Sequence, residues 1–498
     1  MAETRTNSST GSLAGTGVDL HLELSGTRLR AGLTEALREA VRSGRLAPGT
    51  RLPASRALAA DLGIARSTVT ECYGELVAEG WLTAQQGSGT RVAQLATPRG
   101  TTIVTVGAAA PASGSASGAA SAPASAPPRR RSTEGLAPGA GDFAEFPRVE
   151  WLAAARRALA AAPPSAFGYG DPLGRMELRT ALAGYLARVR GVRAEPERIV
   201  ICPGFHQGLM LVAQALRSRG VRAVAVEAYG LDLYRDLLTD AGLSIPPLPV
   251  DESGARTGDL ERLGGDGVGA VLLTPAHQFP TGFALSPERR AAVRDWARIT
   301  GGFVLEDDYD GEFRYDRKPV GALQGLDPER VVYFGTASKS LAPALRVAWM
   351  VLPESLLPDV VAAKGRVETV SVLEQLTLAE YITSGGFDRH VRSRRQIYRR
   401  RREQLISALA ASAPGIRVTG LAAGLQAVLE LPAGTEHGVR EAAARHGLLV
   451  SGMAEFRHEG LDGAEAETGR DALVVNYSAL SDNAWESALT TLCSVMPR

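Results

Sequence analysis

Lysine is almost missing from this chain. Of 55 basic residues only three are lysine, Lys318, Lys339 and Lys364, which leaves 52 arginines (55 − 3). Guanidinium stays protonated and is no usable nucleophile, so side-chain chemistry that needs a neutral amine has only these three residues. Cysteine is equally scarce. Cys72, Cys202 and Cys493 are scattered and odd in number, which excludes a disulfide framework and a cysteine-rich metal site and fits a reducing cytoplasm. Charge of either sign is not in excess: the net value is +1, so no general attraction to nucleic acid or membrane follows, and any DNA contact has to come from a local patch. No apolar run approaches the roughly 18 residues of a membrane span, so no membrane partner is expected. The polar stretch Met1–Gly17 has no apolar core of the kind a signal peptide carries. Together these absences point to the cytoplasm.

What is present divides into unequal parts. A chain of 498 residues has room for two to four domains. Residues 1–18 are rich in Ser, Thr and Gly and are expected to be disordered. From 19 to 95 the pattern is helix, helix, turn, helix, hairpin. Leu29, Leu33, Leu37 and Val41 recur every four residues, one face of a helix. A second helix follows Pro53, with Ser55 as its expected cap. A third runs from Ala65 to Glu79, and Gly80 to Val92 reads as two short strands around a glycine-rich tip. This order describes a winged helix-turn-helix. Its recognition helix needs short polar and cationic side chains in the first turn, where bases and phosphates meet it. Arg66, Ser67 and Thr68 supply them, Arg56 on the preceding helix can neutralise a phosphate, and Gly87 lets the wing backbone approach the minor groove. Residues 96–138, dominated by Ala, Ser, Pro and Gly, cannot bury enough to fold and read as a flexible linker.

Residues 139–498 read as an α/β unit. Short apolar strands (Ile199–Cys202, Val221–Val226, Val268–Pro275, Phe303–Tyr309, Val331–Phe334) alternate with helical patterns, as in a mostly parallel sheet with crossover helices. From about residue 375 a long arginine-rich helix (Phe387–Leu409), strands at 426–431, 448–450 and 473–477, and a final helix (Asn483–Val495) suggest a smaller α+β lobe. Ligands in such sheets bind beyond the carboxyl ends of the strands. Gly204, Tyr229, His277, Asp307, Tyr309 and Lys339 all fall at those ends.

The centre of the chain is Gly335-Thr-Ala-Ser-Lys-Ser-Leu-Ala-Pro-Ala-Leu-Arg346. An amine kept as Lys339 in an arginine-writing chain points to bonding with an aldehyde. Thr336, Ser338 and Arg346 around it are a donor set for a phosphate. An aldehyde and a phosphate together describe pyridoxal 5'-phosphate. Asp307, at the end of an apolar strand, is costly there unless paired, and a pyridinium nitrogen would pair it. Tyr309, two residues on, points the same way and reaches a ring oxygen; Asp308 points elsewhere. Tyr229 is a candidate to lie on the ring face, and His277 is a neighbour in the pocket. The Pro203-Gly-Phe-His-Gln-Gly208 turn ends a strand and starts a helix, where free backbone N–H groups suit an anion.

Two resemblances extend this reading. Gly44-Arg-Leu-Ala-Pro-Gly-Thr-Arg-Leu-Pro53, Ser55-Arg56, the block from Arg66-Ser-Thr68 to Gly80-Trp-Leu82 and Gly87-Ser-Gly-Thr90 resemble the DNA-binding domain of the GntR family. Tyr169-Gly-Asp-Pro-Leu-Gly174, Gly204 to Gln207, Phe279-Pro-Thr-Gly282, Asp307 with Tyr309, and Ser338-Lys339 with Arg346 resemble fold-type I aminotransferases. The combination, with His277-Gln-Phe-Pro-Thr-Gly282 and Glu306-Asp-Asp-Tyr-Asp-Gly-Glu-Phe-Arg-Tyr315, is similar to the MocR/GabR subfamily of bacterial transcription regulators. The resemblance implies Lys339 as the residue bonded to the cofactor, Asp307 for the pyridine nitrogen and Tyr309 for the ring oxygen. It implies Gly204, Phe205, His206, Thr336, Ser338 and Arg346 around the phosphate, with Tyr169 also binding cofactor. It implies a homodimer that reads double-stranded DNA at repeated half-sites and senses pyridoxal phosphate or a small amino compound. An active aminotransferase carrying an accessory DNA-binding domain would use the same residues. One departure bears on that choice. Where aminotransferases place an arginine to clamp the substrate carboxylate, this chain reads Leu473-Val-Val-Asn-Tyr477; Arg457 is the candidate replacement. The missing clamp fits an effector that is pyridoxal phosphate itself, as in regulators of pyridoxine synthesis.

Overall fold

The computed structural model describes residues 29–42, 45–46, 49–62, 64–78, 81–85, 89–93, 135–139, 143–263, 267–315, 321–461 and 470–497. The expected disorder of residues 1–18, Gly87, Lys318 and most of the 96–138 linker lie outside them.

The amino-terminal unit has helices α1 (Leu29–Arg42), α2 (Ser55–Leu62) and α3 (Arg66–Ala78), then an antiparallel pair, β1 (Leu82–Gln85) and β2 (Gly89–Val92). Leu33, Leu37, Leu58, Val69, Leu76, Leu82 and Val92 are buried in one small core, and Val41 packs partly buried against it. Ser55 is the first residue of α2 rather than its cap. The carbonyl of Ala54 accepts from Ala57 and Leu58, which puts the cap one residue earlier.

The large lobe is built on a seven-stranded sheet. In chain order its strands are β3 (Ile199–Cys202), β4 (Ala223–Glu227), β5 (Pro247–Leu248), β8 (Val268–Leu273), β9 (Phe303–Asp307), β10 (Val331–Thr336) and β11 (Ala348–Val351), with a two-residue hairpin, β6 (Val250–Asp251) and β7 (Gly254–Ala255), beside them. The spatial order is β3-β11-β10-β9-β8-β4-β5. Strand β11 runs antiparallel to both its neighbours, and the other pairs are parallel. Residues of β9 and β10 are buried throughout, as expected for strands covered on both faces. Helices α4 (Arg148–Ala161), α5 (Met176–Arg190) and α6 (Phe205–Ser218) belong to this lobe. Strand β11 lies in an apolar run, Val347 to Leu352, between Pro343 and Pro353, which the expected strand list does not include.

The small lobe carries a second sheet, β12 (Arg417–Thr419), β13 (Gln426–Glu430), β14 (Ser451–Gly452) and β15 (Ala472–Asn476), in the order β12-β13-β15-β14. Three expectations need correction. Residues 448–450 are not a strand; the short pairing falls at Ser451–Gly452 instead. The small lobe does not start near 375: the helix Val372–Thr383 contributes Leu378, Tyr381 and Ile382 to a core with α5, and the long helix Gly386–Ser412 leaves that core after Val391 and enters the small-lobe core at Tyr398. The stretch 96–138 is not linker to its end. Leu136 is fully buried in the small-lobe core, its N–H donates to the Leu449 carbonyl, and its own carbonyl accepts from Asn476.

Alternation along the end of β9 separates two neighbouring carboxylates. Asp308 turns away from the cleft and meets Arg190 in a bidentate pair, Nε to Oδ2 at 2.6 Å and Nη2 to Oδ1 at 2.9 Å, with the Tyr333 hydroxyl donating at 2.7 Å. Both partners are almost fully buried. Removing one member of such a pair strands the other charge. Asp308→Ala is expected to lower the unfolding free energy by about 3–5 kcal/mol in a urea titration, whereas Glu403→Ala, which breaks the exposed Arg399–Glu403 pair, changes it by less than about 1 kcal/mol.

Candidate functional site

Three strands end at the same edge of the large sheet and bring the predicted residues together. Residues Cys202 and Ala348 are register partners, as are Ala348 and Thr336. Because β11 is antiparallel, the start of β11 lies beside the ends of β3 and β10, within about 10 Å across two strand spacings. Gly204 stands at the start of α6 with φ of 135°, a conformation open to glycine. A Cβ there would sit 2.7 Å from Arg346 Nη2, so glycine is what lets the guanidinium lie against this backbone. Arg346 itself holds a left-handed backbone, φ 51°. The Thr336 hydroxyl donates to Ser338 Oγ at 2.9 Å, and Ser338 N–H donates back to Thr336 Oγ1 at 3.1 Å. His206 is held below its ordinary value by burial and then by the Arg346 charge. Phe205 does not face this edge as an open ring: it packs against Tyr234 and Phe334.

Next to this cradle a cleft opens, lined by Glu227, Tyr229, Tyr234, Arg235, Thr274, Phe279, Asp307, Tyr309 and Lys339 from the large lobe. Leu425, Gln426 and Asn476 come from the small lobe. Burial pulls the Lys339 ammonium below the ordinary lysine range, against the Asp307 and Asp310 charges that favour it. Burial, reinforced by Asp308 and Asp310, pushes Asp307 well above the usual carboxylate range, against Lys339. The other described lysine differs: Lys364 donates to the Val367 carbonyl at 2.7 Å. Tyr309 is kept a phenol by burial first and the Asp310 charge second. Its oxygen accepts from Gln426 Nε2 at 2.8 Å and lies 3.1 Å from His277 Nδ1, which is 2.8 Å from Asp310 Oδ2.

The placement of the remaining residues is uneven. Tyr229 lines the cleft, but Tyr169 is fully exposed on this chain and does not. Arg457 pairs its backbone with Tyr229 at the rim, and its side chain is not among those lining the cleft. The arginine that does line it is Arg235, whose donors reach Asp232 and the carbonyls of Gly230, Phe456 and Arg457. At the missing clamp, Val474 and Val475 are both fully buried in apolar cores. Sequence reasoning missed Glu227, Tyr234, Arg235, Asp310, Gln426 and Asn476; Glu227 and Asp310 lay next to motifs already singled out and were the ones within reach.

The residues present fit pyridoxal phosphate on two observations. Asp307 is 5 % exposed, and among the described residues no donor reaches its carboxylate; a protonated ring nitrogen is the partner that position lacks. The Gly204–Arg346 approach, the Thr336 and Ser338 hydroxyls and the first N–H groups of α6 form an anion cradle at a helix start.

On the DNA-binding unit, Arg56, Arg66 and Ser67 are exposed and Thr68 is half-buried at the start of α3.

Glu227 offers a test of cleft burial. Its Oε2 accepts from Thr274 N–H at 3.1 Å, the Thr274 hydroxyl at 2.6 Å and Gln278 Nε2 at 3.3 Å, yet burial still pushes it up to about 7 from an ordinary 4.5. Between those values the folded chain keeps a proton that the unfolded chain has released. This group therefore costs stability increasingly as pH rises from 4.5 to 7, and fully above it. Glu227→Gln keeps an acceptor without the charge. It is expected to exceed the natural protein in urea-unfolding free energy by up to about 3 kcal/mol near pH 8 and to match it near pH 4; an equal difference at both pH values would refute the buried proton.

Comparison with known proteins agrees with this anatomy. Residues 135–473 match the family model described as aminotransferase class I and II, and residues 29–92 match that of bacterial regulatory proteins, gntR family. The chain is 33% identical over 382 residues to the probable rhizopine catabolism regulatory protein MocR of Rhizobium meliloti, covering 75% of this chain and 76% of that one. It is 30% identical over 435 residues to the HTH-type pyridoxine biosynthesis transcriptional regulator PdxR of Corynebacterium glutamicum, covering 86% and 89%. Among solved structures, an archaeal alanine:glyoxylate aminotransferase superposes with a TM-score of 0.64 at 25% identity, over 72% of this chain and 90% of that one. The α-aminoadipate aminotransferase LysN of Thermus thermophilus, complexed with N-(5'-phosphopyridoxyl)-L-leucine, gives 0.62 at 25% identity, over 72% and 91%. With a gntR-type winged helix ahead of a class I and II aminotransferase region, this chain belongs to the MocR-type HTH transcriptional regulators.

Proposed function

We propose that this regulator senses pyridoxal phosphate in its aminotransferase-like domain and changes its hold on DNA in response. The observation that carries the reading is the half-buried Lys339 lining the same cleft as the donor-less Asp307, next to the Gly204–Arg346 cradle. Bound pyridoxal phosphate supplies an aldehyde and an electron-withdrawing ring. Lys339 would be the residue that holds the aldehyde, through an amine that burial keeps closer to its neutral form. Asp307 would keep a proton on the ring nitrogen and Tyr309 would donate to the ring oxygen, while His277 with Asp310 steadies the Tyr309 hydroxyl. Thr336, Ser338, Arg346 and the backbone at Phe205 and His206 would hold the phosphate, and Tyr229 would cover a ring face.

Two features favour the cofactor over an amino acid as the effector. Buried valines fill the place of the carboxylate clamp, and the donors of Arg235 are engaged by Asp232 and backbone carbonyls. An active aminotransferase would use the same amine, but an amino-acid substrate would then rely on some other cation. The related PdxR is described as a regulator of pyridoxine biosynthesis, which makes vitamin B6 supply the regulated process we favour here. A homodimer would carry two winged helices onto repeated half-sites. The exposed apolar side chains Val149 and Leu152 on α4, with exposed Tyr169, support such an assembly.

Lys339→Ala is expected to abolish the yellow absorbance gained with pyridoxal phosphate and the response of DNA binding to it. Binding to the DNA upstream of its own gene should persist without ligand. A ligand response that survives this change sinks the sensing reading. Arg66→Ala is expected to weaken binding to every DNA sequence and to lower the slope of log affinity against log salt by about 1, read by fluorescence anisotropy across a salt series.

A further inference from the structure

A sensor needs a contact that couples its ligand site to a moving part, because a ligand shifts only an equilibrium whose two states it binds differently. The cleft has walls from both lobes; the small-lobe side brings Leu425, Gln426 and Asn476, with Pro138 and Gly139 just after the buried Leu136. Leu425 is apolar. Asn476 Oδ1 accepts from Ser478 N–H and Oγ inside its own lobe. Gln426 differs: it opens β13, the strand between β12 and β15, and its side chain crosses the lobe boundary to donate to Tyr309 Oη at 2.8 Å.

The surroundings make this a tight joint. Gly424 N–H donates to the Phe313 carbonyl at 2.6 Å, Leu421 N–H to the Gly282 carbonyl at 2.9 Å, and Tyr315 N–H to the Ala422 carbonyl at 2.9 Å. Gly424 holds φ of 74°, and a Cβ there would lie 2.2 Å from His277 Cε1 and 2.5 Å from Asp310 Oδ2. The small-lobe chain thus rests directly on the His277–Asp310 pair that steadies Tyr309, and the pair is 3 % and 2 % exposed. Tyr309 is kept protonated by its burial, so its hydroxyl can accept from Gln426 while donating its own hydrogen. A hydroxyl that does both strengthens each bond. When Tyr309 donates into the cleft, its oxygen accepts more strongly from Gln426, and β13 is drawn onto the large lobe.

We propose that Gln426 is the residue that couples cofactor occupancy to the position of the small lobe, through its hydrogen bond to Tyr309. This rests on the sensing reading above. It makes Gln426 a positioning residue, acting through Tyr309.

The test uses the full-length protein and pyridoxal phosphate, at concentrations that saturate the visible absorbance of each variant. Operator affinity is measured with and without ligand for the natural protein and for Gln426→Met, which keeps the volume and removes the donor. The expected result is that the ligand-dependent change in affinity falls in Gln426→Met to within about twofold of no change. Retention of half or more of the natural response overturns the coupling role while leaving the sensing reading intact. A natural protein that neither turns yellow nor responds overturns both. Amide exchange supplies an arm that needs no variant: ligand should slow exchange of the natural protein's β13 at least about threefold, and unchanged exchange there overturns the proposal. Gln426→His, which restores a donor, is expected to recover part of the response; no recovery counts against the hydrogen bond as the coupling contact.

Discussion

Holding a half-buried amine and a buried acid together at the rim of one sheet is the constraint on which this molecule turns. Each would be costly there alone. Lys339 and Asp307 each favour the charged form of the other, and each is pushed toward neutrality by burial. The surrounding chain keeps further charge from collapsing the arrangement. Asp308 is turned to the other face and paired with Arg190, Glu227 is bound by Thr274 and Gln278, and Asp310 is matched to His277. The cleft keeps the Lys339 amine, the Asp307 acid without a donor among the described residues, and the Tyr309 phenol.

Topology does the rest. A wholly parallel sheet would send the chain after the lysine loop to the far edge before it could return. The single antiparallel strand β11 begins at the same edge where β3 and β10 end. Arg346 is therefore delivered beside Gly204, some 140 residues away in sequence but one strand spacing away in space. The left-handed turn at Arg346 is the local distortion that this delivery requires.

Local signals made much of this legible. Lysine scarcity singled out Lys339, and period-two alternation separated Asp307 and Tyr309 from Asp308. The winged-helix order followed from Leu33 and Leu37 and the glycines around them. Contacts that join distant segments left no such trace. Gln426 meets Tyr309 across 117 positions, and nothing at residue 426 marks it as more than the first residue of a strand. Leu136 reads as linker because its neighbours are Ala, Pro and Gly; only the waiting edge of Asn476 and Leu449 gives it a place. The lobe border was misplaced for a related reason. Helix Gly386–Ser412 runs unbroken through two cores, so its pattern carries no punctuation where one ends and the other begins.

The glycine at 424 has a consequence for how this protein can change over time. With no clearance to the His277 ring and a backbone that disfavours side chains, the position behaves as a feeler gauge between two plates. Any larger residue would act as a shim, and the error would be felt first at the phenol that the adjoining strand grips. Drift elsewhere on the small lobe can be absorbed by repacking; here the gap itself is the inherited quantity.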